Sequence, residues 1–459
     1  MGIASPGVMG PSPRPSRGRL VLFAFGDFAF NLFWQSIMLF LLFYYTDLLS
    51  LPMGIAAATF TIATIWDGIA NFAAGVFLDR HQPKHGHGAV LAVGAIPLAL
   101  AFVLAYLPPL ASGYWGIATV FVGHLLFRTA YAAVNVPYLA MSARISLDSR
   151  DRAFVAGMRM LFGTIALIAV ALGTVPVGEW LTGRRDPAEA YLGAAMLFAL
   201  VGALILLFVG RIYKETAAPV RREPIAMKAA LISLASNRAF VTLNLAMMAM
   251  IVAITILNKS VLYYFKYLIG DPDAGQLALA SMGLVSAVAV PLWMLLSRVV
   301  GLRVLWFVAA GLGIAGLLLF GATDVHRAGI MQLFLVGMQA MIVGLNFVFW
   351  AMLPNTIEFG ERQTGVHVEG AVFGLAALLQ RIAIGIAIAI LGWSFASAGY
   401  VANVEQSPST LGAMRQTVAL WPMLFLLLSC IAMLRNPLGK GTHRRILDDL
   451  EQRRQTATA

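Results

Sequence analysis

The stretch LPMGIAAATFTIATIWDGIANFAAGVFL, residues 51–78, is apolar from end to end apart from a few hydroxyls and one pair of polar residues, Asp67 and Asn71, set one helical turn apart. As a helix rising about 1.5 Å per residue it is long enough to cross a hydrocarbon core of roughly 30 Å. A carboxylate at that depth costs several kcal/mol and is tolerated where it faces a bundle interior or a watery cavity. The stretch therefore reads as a membrane span carrying a functional acid, and it predicts a transporter.

The rest of the chain has the same character. Its 459 residues are 60% hydrophobic and 12% charged, with a mean hydropathy of +0.83, well outside the range of a soluble domain. Twelve apolar runs of spanning length lie between charged or Pro/Gly-rich breaks, from Leu20–Leu49 and Pro52–Leu78 to Ala371–Tyr400 and Leu411–Leu434. The expected fold class is an all-α membrane protein with twelve transmembrane helices. The hydrophilic stretch Ile212–Ala230 divides it six and six, which gives a leader over 1–19, six-helix bundles over 20–211 and 239–436, a linker over 212–238 and a tail over 437–459. Transporters commonly place substrate between two such halves at the midplane. The first apolar run is too long for the core of a cleaved signal, so the leader is expected to stay.

Orientation follows from the 32 Lys and Arg residues. With both termini cytoplasmic, only Arg184, Arg185, Lys266, Arg327 and Arg415 fall outside, and Arg128, Arg159, Lys259 and Arg381 fall within spans. The net charge of +11 then reflects topology and attraction to anionic lipid headgroups, and gives no reason to expect nucleic acid. The single cysteine, Cys430, excludes an intrachain disulfide. No HExxH, GxSxG or P-loop is present, so neither an enzyme nor an ATP-driven pump is expected, nor any cofactor or metal; a gradient must drive transport.

Five stretches in order, FGDFAFNLFWQSIMLFLLFYYTDLLSLP (25–52), IWDGIANFAAG (65–75), YAAVNVPYLAM (131–141) followed by RDRAFVAGMRM (150–160), YYFKYLIGD (263–271) and MLPNTIEFGERQTGVHVEGAVFGLAALLQR (352–381), resemble the glycoside–pentoside–hexuronide:cation symporters, the melibiose-carrier branch of the major facilitators. The resemblance runs from about Phe25 to Gly392 and implies a major-facilitator fold and cation-coupled sugar transport in a bacterial inner (plasma) membrane by a monomer. The family also includes lysophospholipid carriers, so a lipid carrier or flippase is the alternative.

Carried over by residue, the resemblance implies a cation site at Asp67 and Asn71, where the family pattern has two acids; Asn71 leaves one charge fewer. Asn31 and Asn135 stand where the melibiose carrier has acids, and Arg381 where the family has a lysine. Asp27, one turn before Asn31 and on the same face, is a second candidate for the cation. A hard sodium ion favours several oxygen ligands with negative charge among them, whereas a proton needs a single desolvated carboxylate. Proton coupling is therefore the first expectation and sodium the second. Polyol ligands are held by hydrogen-bonding groups above an aromatic face. Asn31, Trp34, Tyr131, Asn135 and Arg159 in the first half, with Trp350 and Arg381 in the second, are the expected substrate site. Arg159 and Arg381 could converge on an anionic solute such as a hexuronide, or each could be neutralised within the protein.

LDSRDR and IEFGERQTGVHVE resemble cytoplasmic gate motifs, with Asp148, Arg150, Arg152, Glu358 and Glu361 as candidate partners. Tyr44 and Tyr45, near the end of a span, read as interfacial belt residues. DRHQPKHGHG reads as a charged loop between spans and not as a metal site. His124 and Arg128, one turn apart, could bond to each other or face the cavity.

Overall fold

The computed structural model describes residues 15–80, 86–109, 113–145, 149–183, 186–213, 227–323, 325–364 and 369–439. Among them are twelve helices long and apolar enough to cross a membrane. They are α1 (Arg17–Leu48), α2 (Met53–Leu78), α3 (Gly86–Ala105), α4 (Tyr114–Met141), α5 (Phe154–Thr182), α6 (Pro187–Ile212), α7 (Arg238–Ile269), α8 (Pro272–Val300), α9 (Leu302–Ala322), α10 (Ala328–Met352), α11 (Ala371–Ser397) and α12 (Pro408–Leu434). The sequence itself punctuates them. Asp186, Asn237, Asp271 and Ser407 each accept a backbone N–H in the first turn that follows, at 2.8, 3.0, 3.0 and 3.1 Å, and a proline begins the helix after three of these caps.

Two six-helix bundles result, because one packing scheme occurs twice. In the first half α1 lies against α5 and α6, α3 against α4 and α6, and α2 against α4. In the second, α7 lies against α11 and α12, α9 against α10 and α12, and α8 against α10. The stretch expected as a plain linker contains a short helix, Met227–Ser236, and α10 is followed by another, Asn355–Thr364. An even number of spans brings the two described ends to one face, here the terminal face; the opposite face is distal.

The halves meet through α2 on α11 and α5 on α8. Glycine permits the closest approach: a Cβ built on Gly392 would sit 2.1 Å from that of Ala57, and one on Gly68 would sit 2.8 Å from Leu378 Cδ1. Near the distal face, α1 and α7 both end in a π-helical turn, Tyr44–Leu48 and Tyr264–Ile269. These turns occupy matching places in the two halves, FYYTD and LYYFK. Such turns rotate the side chains that follow, and they are frequent at functional sites. Tyr44 and Tyr45 consequently do not form an interfacial belt. Both are buried and donate to the carbonyls of Tyr106 and Ala105, at 2.6 and 3.4 Å.

Candidate substrate and coupling site

Three buried or part-buried acids lie at successive depths, and each is balanced differently. Asp27, nearest the terminal face, forms a bidentate pair with Arg159, whose Nη2 is 3.2 Å from Oδ1 and whose Nε meets Oδ2. The Tyr138 hydroxyl donates to the same Oδ2 at 2.7 Å. Asn31 donates to the Asp27 carbonyl at 2.8 Å and accepts from Gln35 at 3.3 Å. A cation with its own bidentate carboxylate is already neutral. Arg159 and Arg381 thus do not converge: Arg159 is held by Asp27 within the first half.

Asp67, in the middle of α2, is fully buried and serves two cations. Arg381 from the opposite half places Nε 2.9 Å from Asp67 Oδ2, and Arg128 on α4 places Nη1 3.9 Å from the same oxygen. Asn71 turns its amide N–H to Asp67, at 3.1 Å from Oδ1 and 2.7 Å from the backbone carbonyl. Trp34 lies between the two guanidinium groups, with ring-to-carbon distances of 4.2 Å to Arg381 and 4.9 Å to Arg128, and packs on Tyr131 at 5.5 Å. Arg128 continues the stack onto Phe60 at 5.6 Å, and Lys259 of α7 covers that ring at 4.2 Å. The Lys259 ammonium donates to the backbone carbonyl of Met38 in the other half.

This layer therefore holds Arg128 and Arg381 against the carboxylate of Asp67, with Lys259 on the Phe60 ring that it shares with Arg128. Arg128 is fully buried, its Nε donates to His124 Nε2 at 3.2 Å, and both terminal nitrogens lack a hydrogen-bond acceptor among the described residues. Burying an uncompensated charge costs several kcal/mol per ion. A fold meant only to be stable would remove such charges.

The third acid, Asp47, closes the distal face. Its Oδ1 accepts from Lys266 at 2.6 Å and Tyr267 at 2.5 Å, and its Oδ2 from Thr46 and Tyr400, each at 2.7 Å. Asp47 lies in the π-helical turn that ends α1 and Lys266 in the one that ends α7, so the ion pair joins the halves. Burial and the Asp47 charge push the Tyr400 hydroxyl far above its ordinary pKa, so it acts as a donor throughout.

The remaining expected residues are more scattered. Tyr131 is buried, and Asn135 is half-buried without a side-chain hydrogen bond among the described residues. Trp350 is 48% exposed and touches Phe349, with no ring or polar contact to the cluster around Trp34 among the described residues. Asp148, and the side chains of Arg150 and Arg152, lie outside the described residues, as does much of DRHQPKHGHG. Glu361 is partnered, while Glu358 keeps Oε2 buried without a hydrogen bond among the described residues. Sequence reading left Arg128 undecided and placed Lys259 within a span without giving it a role. The signal that identifies both is simply a cation inside an apolar run with no acid on the same helix face.

Twelve helices in two repeated bundles around a charged midplane layer define a major-facilitator transporter. The family described as MFS/sugar transport protein matches residues 22–440, and the chain belongs to it. It is an integral membrane protein and not an enzyme. A Salmonella typhimurium protein provisionally named a 2,3-dihydroxypropane-1-sulfonate exporter is 27% identical over 451 residues, covering 95% of each chain. An Escherichia coli glucuronide carrier protein homolog is 23% identical over 443 residues, covering 95% of this chain and 96% of its own. The fold is similar to that of a D-xylose-proton symporter, with a TM-score of 0.64 at 13% identity over 90% of this chain and 95% of the other.

Proposed function

We propose that the chain is a proton-coupled carrier of a small, acidic, hydroxyl-bearing solute, such as a sugar acid, an acidic glycoside or a hydroxylated sulfonate, in a bacterial plasma membrane. One observation carries the reading: Asp67 is shared by a cation from each half, in a layer with more cations than acids. An anionic group that takes Arg381 displaces Asp67 as its counter-ion, and a proton on Asp67 then keeps the charge of the layer constant. Substrate and proton are coupled because they exchange places on the same arginine. The Asn71 N–H directed at Asp67 speaks against a pair of oxygens for sodium. Relatives named for a sulfonate and for a glucuronide support an acidic cargo. The polar, cationic lining favours a small solute over the lysophospholipid alternative.

The basic-residue census makes the terminal face cytoplasmic in this reading, so the Asp47 latch closes the outside and the arrangement described is inward-facing. The carrier acts as a monomer within the lipid. Asp67→Asn is expected to abolish uphill accumulation of the acidic solute in vesicles under a pH gradient while leaving downhill exchange partly intact. Unchanged accumulation would sink the assignment of Asp67.

A further inference from the structure

The exchange just described takes place on Arg381; Arg128 only stands by at 3.9 Å from Asp67 and Lys259 takes no part, yet both are buried cations and costly to keep in the layer. Both share the ring of Phe60, which stands two turns distal to Asp67 on α2. Arg128 keeps Nη1 and Nη2 buried without acceptors, and its nearest acid oxygen is 3.9 Å away and already paired with Arg381 at 2.9 Å. Lys259 is buried, and its ammonium rests on a backbone carbonyl, a neutral dipole. Asp27 cannot serve them because it is saturated by Arg159 and Tyr138, nor can Asp47, saturated by Lys266 and three hydroxyls. His124 presents Nε2 to Arg128 as an acceptor and supplies no charge.

The contact between Lys259 and Met38 has a consequence for the transport cycle. Lys259 belongs to the second half and Met38 to the first, so separation of the halves at the distal face must break it. The ammonium would then be bared together with the Arg128 guanidinium, on the side from which an external solute enters. Two cations with open donor sites, one planar and one a point charge, suit an oxyanion with several lone pairs.

Resting on the reading of this layer as the transport site, we infer that Arg128 and Lys259 form a second, distal anion subsite that receives the carboxylate or sulfonate of the solute when the distal face opens, before the acid passes to Arg381. The subsite sets the substrate class, since a neutral sugar would leave both cations uncompensated.

The test uses purified full-length protein, calorimetric titration with glucuronate, 2,3-dihydroxypropane-1-sulfonate and glucose, and thermal melting without solute. The wild type should bind at least one acidic probe and bind glucose far more weakly. Arg128→Gln and Lys259→Gln should each weaken the acidic probe by about tenfold or more, the scale of a lost charge-assisted hydrogen bond. Each should also melt at the same or a higher temperature than wild type, because an uncompensated buried charge has been removed. Lys259→Arg, which keeps the charge, should retain most of the binding. Undiminished acidic binding by both neutral variants would overturn the subsite while leaving the Asp67–Arg381 site standing. Lowered melting temperatures in both, without weaker binding by the folded fraction, would make these cations structural and also overturn it. If the wild type binds glucose and neither acidic probe, the proposed function falls, and the subsite with it.

Discussion

Asp47 and Asp67 are both buried carboxylates facing a cation from the other half, but their surroundings differ. Asp47 has one cation and three hydroxyl donors, shared between its two oxygens at hydrogen-bonding distance. Asp67 has two cations at unequal distances, one amide donor, and an Oδ2 with no hydrogen bond. A saturated ion pair resists exchange, since any newcomer must replace several good bonds at once. An undersaturated acid amid excess cations invites exchange. In the proposed function the first arrangement serves as a latch and the second as the carrier site, although from sequence the two aspartates look alike.

The comparison can be broken most decisively by neutralising each acid in turn. Beyond abolishing uphill transport, Asp67→Asn leaves Arg381 and Arg128 uncompensated and should lower the melting temperature, and an acidic solute should restore part of that loss. Asp47→Asn should show no such recovery. Rescue of both, or of neither, would erase the distinction drawn between them.

Next in size is the effect of Asp47→Asn on conformation. Breaking a buried ion pair from one side costs roughly 3–5 kcal/mol, and here the cost falls on the distally closed state. Spin labels at the distal ends of α1 and α7 should therefore report longer distances in the variant, with acidic-solute binding retained. An unaltered distance distribution would show that the α2–α11 and α5–α8 packing alone holds that face closed.

A smaller change should follow from Asn71→Asp, which places a second carboxylate beside Asp67. That charge competes with the solute for the same cations, and at an effective dielectric near 20 it should weaken acidic-solute binding by about tenfold or more. A gain in sodium-stimulated uptake in this variant would sharpen the view that the amide is what disfavours sodium. Smallest of all, Trp34→Leu removes the ring between two guanidinium groups, worth about 0.5–1 kcal/mol for each cation–π contact. A loss of severalfold in affinity with the pH dependence of uptake intact is expected. A loss as large as that of Asp67→Asn would mean that Trp34 positions the arginines and does not merely pack against them.

Much of the molecule was legible before any coordinates. Runs of apolar residues set the twelve spans, since helix length against bilayer thickness is a local constraint, and the cost of intramembrane charge flagged Asp67, Asp27, Arg159 and Arg381. Pairing was another matter. Arg159 was open to an anionic solute or to an internal acid, and only the fold shows that it faces Asp27 on α1. Tyr44 and Tyr45 read as belt residues from their position near a helix end, but a π-helical turn and the neighbouring α3 carbonyls bury them. Lys259 was placed within a span but given no partner, because the residue it meets, Met38, offers a backbone carbonyl, and every residue has one.

By itself, then, the sequence determined the membrane fold, the six-plus-six division and the presence of costly charges, because hydrophobic run length and side-chain charge belong to each segment alone. The tertiary structure decided which acid answers which cation. Asp67 and Arg381 lie on helices far apart in the chain, as do Asp47 and Lys266. Whether a charge ends up neutralised, latched or left waiting for a solute depends on distances of a few ångströms between helices, which helical periodicity does not encode.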